Sequence, residues 1–182
     1  MKIGVFCSSR MGSDPAYAEA AADLGRRLAQ AGCELVYGGE EYGLMKVLAD
    51  SVLEAGGRVT GVIPNIPMML ENVHPRLQEY VYVKDMAERK KTMLRLADAF
   101  AALPGGTGTL DELSEVLCQN KIGGMDKPLV LISIKGYYEP LRKALETMIG
   151  AGMMDAEDLR QAGCEASPEE ALRWLTNTMR IG

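Results

Sequence analysis

The chain has 182 residues, with 25% charged side chains and 47% drawn from AVILMFWYC, an ordinary globular make-up that argues against disorder. Its formal charge of −5 argues against a general nucleic-acid coat, and no apolar run approaches the ~18 residues of a membrane span. Glycine is in excess, at 20 residues, with no collagen period and no Gly/Ser linker to account for it.

Short apolar runs alternate with helical patterns along the whole chain. Ile3–Cys7 reads as a first strand, too short in its apolar stretch for a signal peptide. Asp14–Gln30 follows with apolar residues near helical spacing and Gly32 as a stop. Glu34–Tyr37 is strand-like, Leu44–Leu53 helical, and Arg58–Ile63 a third strand stopped by Pro64. The stretch from Asn65 to Leu77 has the turn formers of an irregular segment. Tyr80–Val83 is a fourth strand, Met86–Leu96 a helix, and Ala99–Leu103 a fifth strand. Thr109–Asn120 reads as helical, with Leu110, Leu113, Val116 and Leu117 as its buried face. Pro128–Ile134 is a sixth strand, and a helix follows near Glu139–Ile149. A short strand near Cys164 and a helix over Pro168–Met179 close the chain, with Trp174 packed on the sheet.

Strands alternating with helices of 10–15 residues imply βαβ units and a parallel sheet. Right-handed crossovers then give a doubly wound, Rossmann-like α/β sandwich of about six to seven strands, with helices on both faces. Residues 1–182 read as a single nucleotide-binding domain of this kind. In such a sheet, ligands bind beyond the C-terminal ends of the strands. Three glycine-bearing turns fall there, at residues 7–12, 37–43 and 104–109.

The third turn, Pro104-Gly105-Gly106-Thr107-Gly108-Thr109, is the sharpest. Its glycines clear side chains from backbone N–H groups, the two threonines add hydroxyl donors, and a helix begins there. This is the physics of a phosphate cradle without a Walker lysine. A tight turn followed by acids complementing the helix dipole, Asp111 and Glu112, accounts for the same residues. The Glu88-Arg89-Lys90-Lys91 run puts cations near a helix N-terminus, against the dipole; an anion nearby or a solvated basic face would each explain it.

The spaced combination resembles the LOG family of cytokinin-activating phosphoribohydrolases, often labelled lysine decarboxylases. The family pattern is an Arg-Lys pair followed by PGGxGTxxE, here Arg89-Lys90 and Pro104 to Glu112. Val36-Tyr37-Gly38-Gly39, Gly43-Leu44-Met45 and Gly61-Val62-Ile63-Pro64 extend the likeness over about residues 1–154. The resemblance implies hydrolysis of the N-glycosidic bond of a nucleoside 5′-monophosphate, AMP or a cytokinin riboside 5′-monophosphate, to free base and ribose 5-phosphate. It implies Arg89 and Glu112 as catalytic residues. It implies a substrate contact from Glu71 and the phosphate in the Gly105–Thr109 loop, held by Gly105, Gly106, Thr107, Gly108 and Thr109. Lys90 of the Arg-Lys pair, Gly38 and Gly39 of the second turn and Ser8 of the first are read as substrate-binding as well, a strand-end cap being the equal alternative for Ser8. A homodimer is implied, with the helices around the motif at its interface.

Residue chemistry agrees with that assignment. A carboxylate beside the ribose stabilises an oxocarbenium-like transition state or deprotonates water, and Arg89 beside Glu112 would keep it ionised. No metal or cofactor is expected. The single histidine, His74, forbids a multi-histidine site and reads as a turn residue before Pro75. Cys7, Cys33, Cys118 and Cys164 lie far apart, as reduced thiols of a cytoplasmic protein do. Lysine decarboxylation is disfavoured, since nothing resembles a pyridoxal-phosphate lysine with its partners. Neither a nucleic-acid nor a membrane partner is expected.

The chain also departs from the family pattern. Glu40 stands where a third glycine is usual, which alters the phosphate side or the ribose contacts. Ala87 replaces a histidine, and Leu117-Cys118-Gln119 lacks the usual tryptophan, which alters the base pocket or a subunit contact. Met68-Met69-Leu70 offers an apolar lining for a base. The competing reading is a nucleotide-binding or molybdenum-cofactor carrier protein, which shares such glycine loops but need not keep Arg89 and Glu112.

Overall fold

A computed structural model describes residues 1–181. Seven strands form one all-parallel sheet in the order β4-β3-β2-β1-β5-β6-β7. They are β1 (Lys2–Phe6), β2 (Glu34–Tyr37), β3 (Val59–Pro64), β4 (Glu79–Val83), β5 (Ala99–Ala102), β6 (Leu129–Ile132) and β7 (Ala162–Glu165). The central strands are apolar on both faces, as a sheet covered on both sides requires: every residue of β3, β5 and β6 is buried.

The helices are α1 (Pro15–Gln30), α2 (Gly43–Glu54), α3 (Pro67–Leu70), α4 (Met86–Leu96), α5 (Thr107–Lys121), α6 (Glu139–Gly150) and α7 (Pro168–Ile181). One apolar core lies under α1, α2 and α7, where Leu24, Leu28, Leu48 and Leu175 meet Ile3, Leu35 and Val130. The other lies under α4 and α5, where Met93, Leu113 and Val116 meet Phe6, Val36 and Phe100. Phe6 and Phe100 stack with centroids 5.5 Å apart in that second core. Trp174 of α7 lies against Gly163 of β7, where a β-carbon would come within 2.6 Å of its ring. The doubly wound α/β class and the strand near Cys164 are as expected. No described helix is long and apolar enough to cross a membrane.

Three local differences matter for the site. Helix α5 starts at Thr107, two residues before the expected Thr109, because extended Gly106 serves as its N-cap without a side-chain hydrogen bond. Its buried face is therefore Thr109, Leu113, Val116 and Asn120, while Leu110 is exposed. The irregular segment after β3 contains α3, a single helical turn too short to show a hydrophobic period.

Candidate active site

The strand order reverses beside β1, between the β1–β2 and β1–β5 pairs, and a cavity of about 470 Å³ opens there at the C-terminal strand ends. Cys7, Ser8, Gly38, Glu40, Met69, Met86, Arg89, Gly106, Thr107, Gly108, Thr109 and Glu112 all line it. Thus the β1, β2 and β5 turns, α4 and the entry to α5 converge on one space.

Each wall has a local cause. The Ser8 carbonyl accepts N–H bonds from Leu44 (3.1 Å) and Met45 (3.4 Å), fixing the β1 turn to the start of α2. Helix α4 is capped by Asp85, whose carboxylate accepts from the Glu88 N–H at 2.9 Å, while Glu88 accepts from the Lys84 N–H at 2.7 Å. These acids offset the dipole penalty of the basic run and aim Arg89, one turn in, at the cavity. At α5, Leu110 is the first residue whose N–H reaches back, to Gly106 O at 3.0 Å. The amides of Thr107, Gly108 and Thr109 belong to the helix's opening turn, which lacks intrahelical acceptors. The Tyr137 hydroxyl braces this turn by donating to Gly105 O at 2.7 Å.

Arg89 is buried, at 5% exposure, and its Nη2 lies 4.0 Å from Glu112 Oε1. Its Nη1 meets Met86 Sδ at 3.7 Å, and its buried Nε has no partner within the protein. The Gly38 position makes this possible: a β-carbon there would overlap the Nη2 nitrogen and sit 3.0 Å from Cζ. Gly38 therefore admits the guanidinium, a different task from the ligand approach its place in the sequence implies. Gly39, at φ +83°, lies against Ile63, where a β-carbon would meet the side chain at 2.7 Å.

Burial pushes the Glu112 carboxyl up to about 7, against the opposing pull of Arg89; Asp111 and Glu40 push the same way. Desolvation thus outweighs the guanidinium that was expected to keep this group fully ionised. Glu112 also lies beyond the first turn of α5, which holds no acid, so it is not a dipole-complementing residue. Burial likewise raises Glu40, with Arg89 opposing, and raises the thiol of Cys7.

Among the expected site residues, Ser8, Gly38, Arg89, Gly106, Thr107, Gly108, Thr109 and Glu112 share the cavity. Gly39 and Gly105 support its walls. Two others lie outside its lining. The Lys90 ammonium pairs with Asp111 at 2.9 Å and Glu115 at 3.5 Å on the outer side of α4 and α5. Glu71 is exposed at the C-terminal cap of α3, two residues past the cavity-lining Met69. Met86 was not anticipated; its signal was the three-residue spacing to Arg89 on one helix face. His74 is fully buried with Nε2 3.1 Å from Asp50 Oδ1, and Asp50 also binds Lys46 and Arg76.

Residues 45–175 match the family model described as "Possible lysine decarboxylase". The chain is 43% identical over 160 residues to a rice protein (Oryza sativa subsp. japonica) named "Probable cytokinin riboside 5′-monophosphate phosphoribohydrolase LOGL1", covering 88% of this chain and 71% of that one. The chain belongs to the LOG family. A second LOG relative, the Arabidopsis thaliana cytokinin riboside 5′-monophosphate phosphoribohydrolase LOG7, is 39% identical over 174 residues, covering 96% of this chain and 80% of its own. The fold extends beyond the LOG relatives: a Moco carrier protein from Chlamydomonas reinhardtii superposes with a TM-score of 0.76 at 20% identity, over 100% of this chain and 98% of that chain.

Proposed function

We propose that this chain hydrolyses the N-glycosidic bond of a nucleoside 5′-monophosphate, AMP or a cytokinin riboside 5′-monophosphate, giving free base and ribose 5-phosphate. The observation that carries this reading is the buried Arg89–Glu112 pair beside the open N-terminus of α5 in one cavity. The names of the relatives support it.

In this reading the 5′-phosphate accepts from the amides of Gly106 to Thr109 and from the threonine hydroxyls, at the positive end of α5. Ser8 donates from the opposite wall. The ribose then lies near Glu112, one turn farther into the helix. As the C1′–N bond lengthens, positive charge grows at C1′ and the ionised Glu112 stabilises it. The base leaves with the electron pair of the C1′–N bond and takes a proton from solvent at its ring nitrogen; water adds its oxygen to C1′, and Glu112 takes the water proton and later releases it to solvent. A carboxyl titrating near 7 suits both halves of that exchange. Arg89 orients Glu112 and holds its charge. Lys90 supports from behind by fixing Asp111, and Glu71 meets the substrate from the rim. Met69 and Met86 give the base an apolar wall.

The homodimer belongs to the same proposal. Leu110 on α5 (43% exposed) and Ile122 at its C-terminal cap (72% exposed) are apolar side chains that a second copy would cover. The four unpaired cysteines favour a reducing, cytoplasmic setting.

The test is incubation with AMP, GMP, CMP and isopentenyl-AMP, followed by chromatography for free base. Release from at least one, abolished by Glu112→Gln with AMP binding retained, is the expected result. Binding without release from any of them would favour the carrier reading.

A further inference from the structure

Most charged groups around the cavity already have partners. Arg89 faces Glu112, and Asp111 holds Lys90. The α5 amides, Ser8 and Arg10 are donors and suit an acceptor-rich phosphate. Glu40 is different. Its carboxylate lines the cavity but makes no hydrogen bond or ion pair within the described residues; only its carbonyl is engaged, by the Tyr37 hydroxyl at 3.4 Å.

The backbone around Glu40 is fixed on both sides. The Gly39 carbonyl accepts from the His74 N–H at 2.8 Å, and the Glu41 N–H donates to Asn72 O at 3.0 Å. Glu40 itself pairs with Val73 in an antiparallel bridge. Its side chain is therefore presented from an anchored strand end. The side chain is half-buried and its carboxylate has no donor within the described residues, so a ligand that enters the cavity with a donor replaces solvent there.

We propose that Glu40 is a specificity-determining residue that accepts hydrogen bonds from the ribose 2′- and 3′-hydroxyls, making the site selective for ribonucleotides over deoxyribonucleotides. This rests on the hydrolase reading for the placement of the sugar. A nucleotide carries few donors: the ribose hydroxyls and, on some bases, an exocyclic amine or a ring N–H. Glu40 lies two residues past Gly38, whose α-carbon packs on the Arg89 guanidinium, and lines the same cavity as Arg89 and Glu112, so it sits on the side of the reacting sugar; the mutual electrostatic influence of the three groups agrees. Repulsion between its carboxylate and a phosphate also disfavours a reversed nucleotide, with the 5′ end toward β2. A site built to pair a hydroxyl discriminates against the analogue that lacks it, because the bound analogue leaves the acceptor covered and unpaired.

The experiment measures calorimetric affinity and base release for AMP, 2′-deoxy-AMP and 3′-deoxy-AMP on the wild-type chain, Glu40→Gln and Glu40→Ala, with melting curves for each. The wild-type chain is expected to prefer AMP over at least one deoxy analogue by about tenfold or more. Glu40→Ala should bring that ratio close to one, and Glu40→Gln, which keeps one acceptor oxygen, should fall between. A preference that survives unchanged in folded Glu40→Ala, or a wild-type chain with no preference, overturns the proposal. Ribose selectivity in binding that depends on Glu40, with no base release from any nucleotide, would instead sink the hydrolase reading and leave this assignment standing.

Discussion

Gly38→Ala tests the link between the end of β2 and the chemistry on α4. The backbone at residue 38 is not in the left-handed region, so alanine meets no conformational strain there; the whole effect comes from one methyl group. That methyl overlaps Arg89 Nη2, lies 3.0 Å from Cζ and 3.3 Å from Met45 Sδ. The guanidinium is the end of a flexible side chain, so it withdraws rather than splitting the sheet. The withdrawal needed is at least about 1 Å, and misplacement on that scale lowers rates about 100-fold, or about 2.7 kcal/mol in the barrier. The substituted chain should stay folded, with a melting temperature a few degrees lower, because Arg89 becomes a displaced buried charge. The assay pairs single-turnover base release with a melting curve. Wild-type turnover in Gly38→Ala would refute both the packing argument and the placing of Arg89 in catalysis.

Other outcomes follow from the same geometry. Glu112 is raised from 4.5 to about 7 in the fold, so its neutral form favours the native state. That contribution is whole below about pH 4.5 and is lost as pH rises through about 7. Glu112→Gln should therefore melt higher than the wild-type chain above pH 7, with the gap closing at lower pH; an equal gap at pH 4.5 and pH 8 would contradict the assignment. Activity has the opposite sign, since kcat/KM should rise with pH through about 7 as the carboxylate forms, which a pH–rate profile will read. Asp50→Ala leaves buried His74 without its acceptor and should lose about 1–3 kcal/mol in urea titration. Tyr137→Phe removes the brace on Gly105 and should raise KM for the nucleotide several-fold, with stability lowered by about 1 kcal/mol.

The elements of the sheet were legible because parallel strands buried on both faces announce themselves as unbroken apolar runs, as in Ala99–Ala102 and Leu129–Ile132. Their lateral order was not, since no local signal says that β1 separates β2 from β5. Helix α5 starts at Thr107 rather than Thr109 because Gly106 caps it without a side-chain hydrogen bond, and such a cap leaves no side-chain signal in the sequence. The glycine turn stood out through its residues and the Arg89–Glu112 pair through the family pattern, but the state of Glu112 depends on burial, which neither one reveals. Lys90 shows the limit of reading neighbours as partners: adjacent residues on a helix point about 100° apart, so Arg89 enters the cavity while Lys90 pairs outside it.

The segment between β3 and β4 has a consequence for how such a protein diversifies. Helix α3 buries none of its residues, yet it carries Met69 into the cavity, and the segment after it is tied to the Gly39–Glu41 strand end by main-chain bonds, with Asn72 adding side-chain bonds to Tyr42 and the Met68 carbonyl. Residues 65–73 therefore form an exchangeable cassette. Apart from Asn72, its side chains can be rewritten to suit a new base while the proposed pair, Arg89 on α4 and Glu112 on α5, is inherited intact. Grafting that segment from a relative with another base preference should transfer the preference and leave the turnover chemistry where it is.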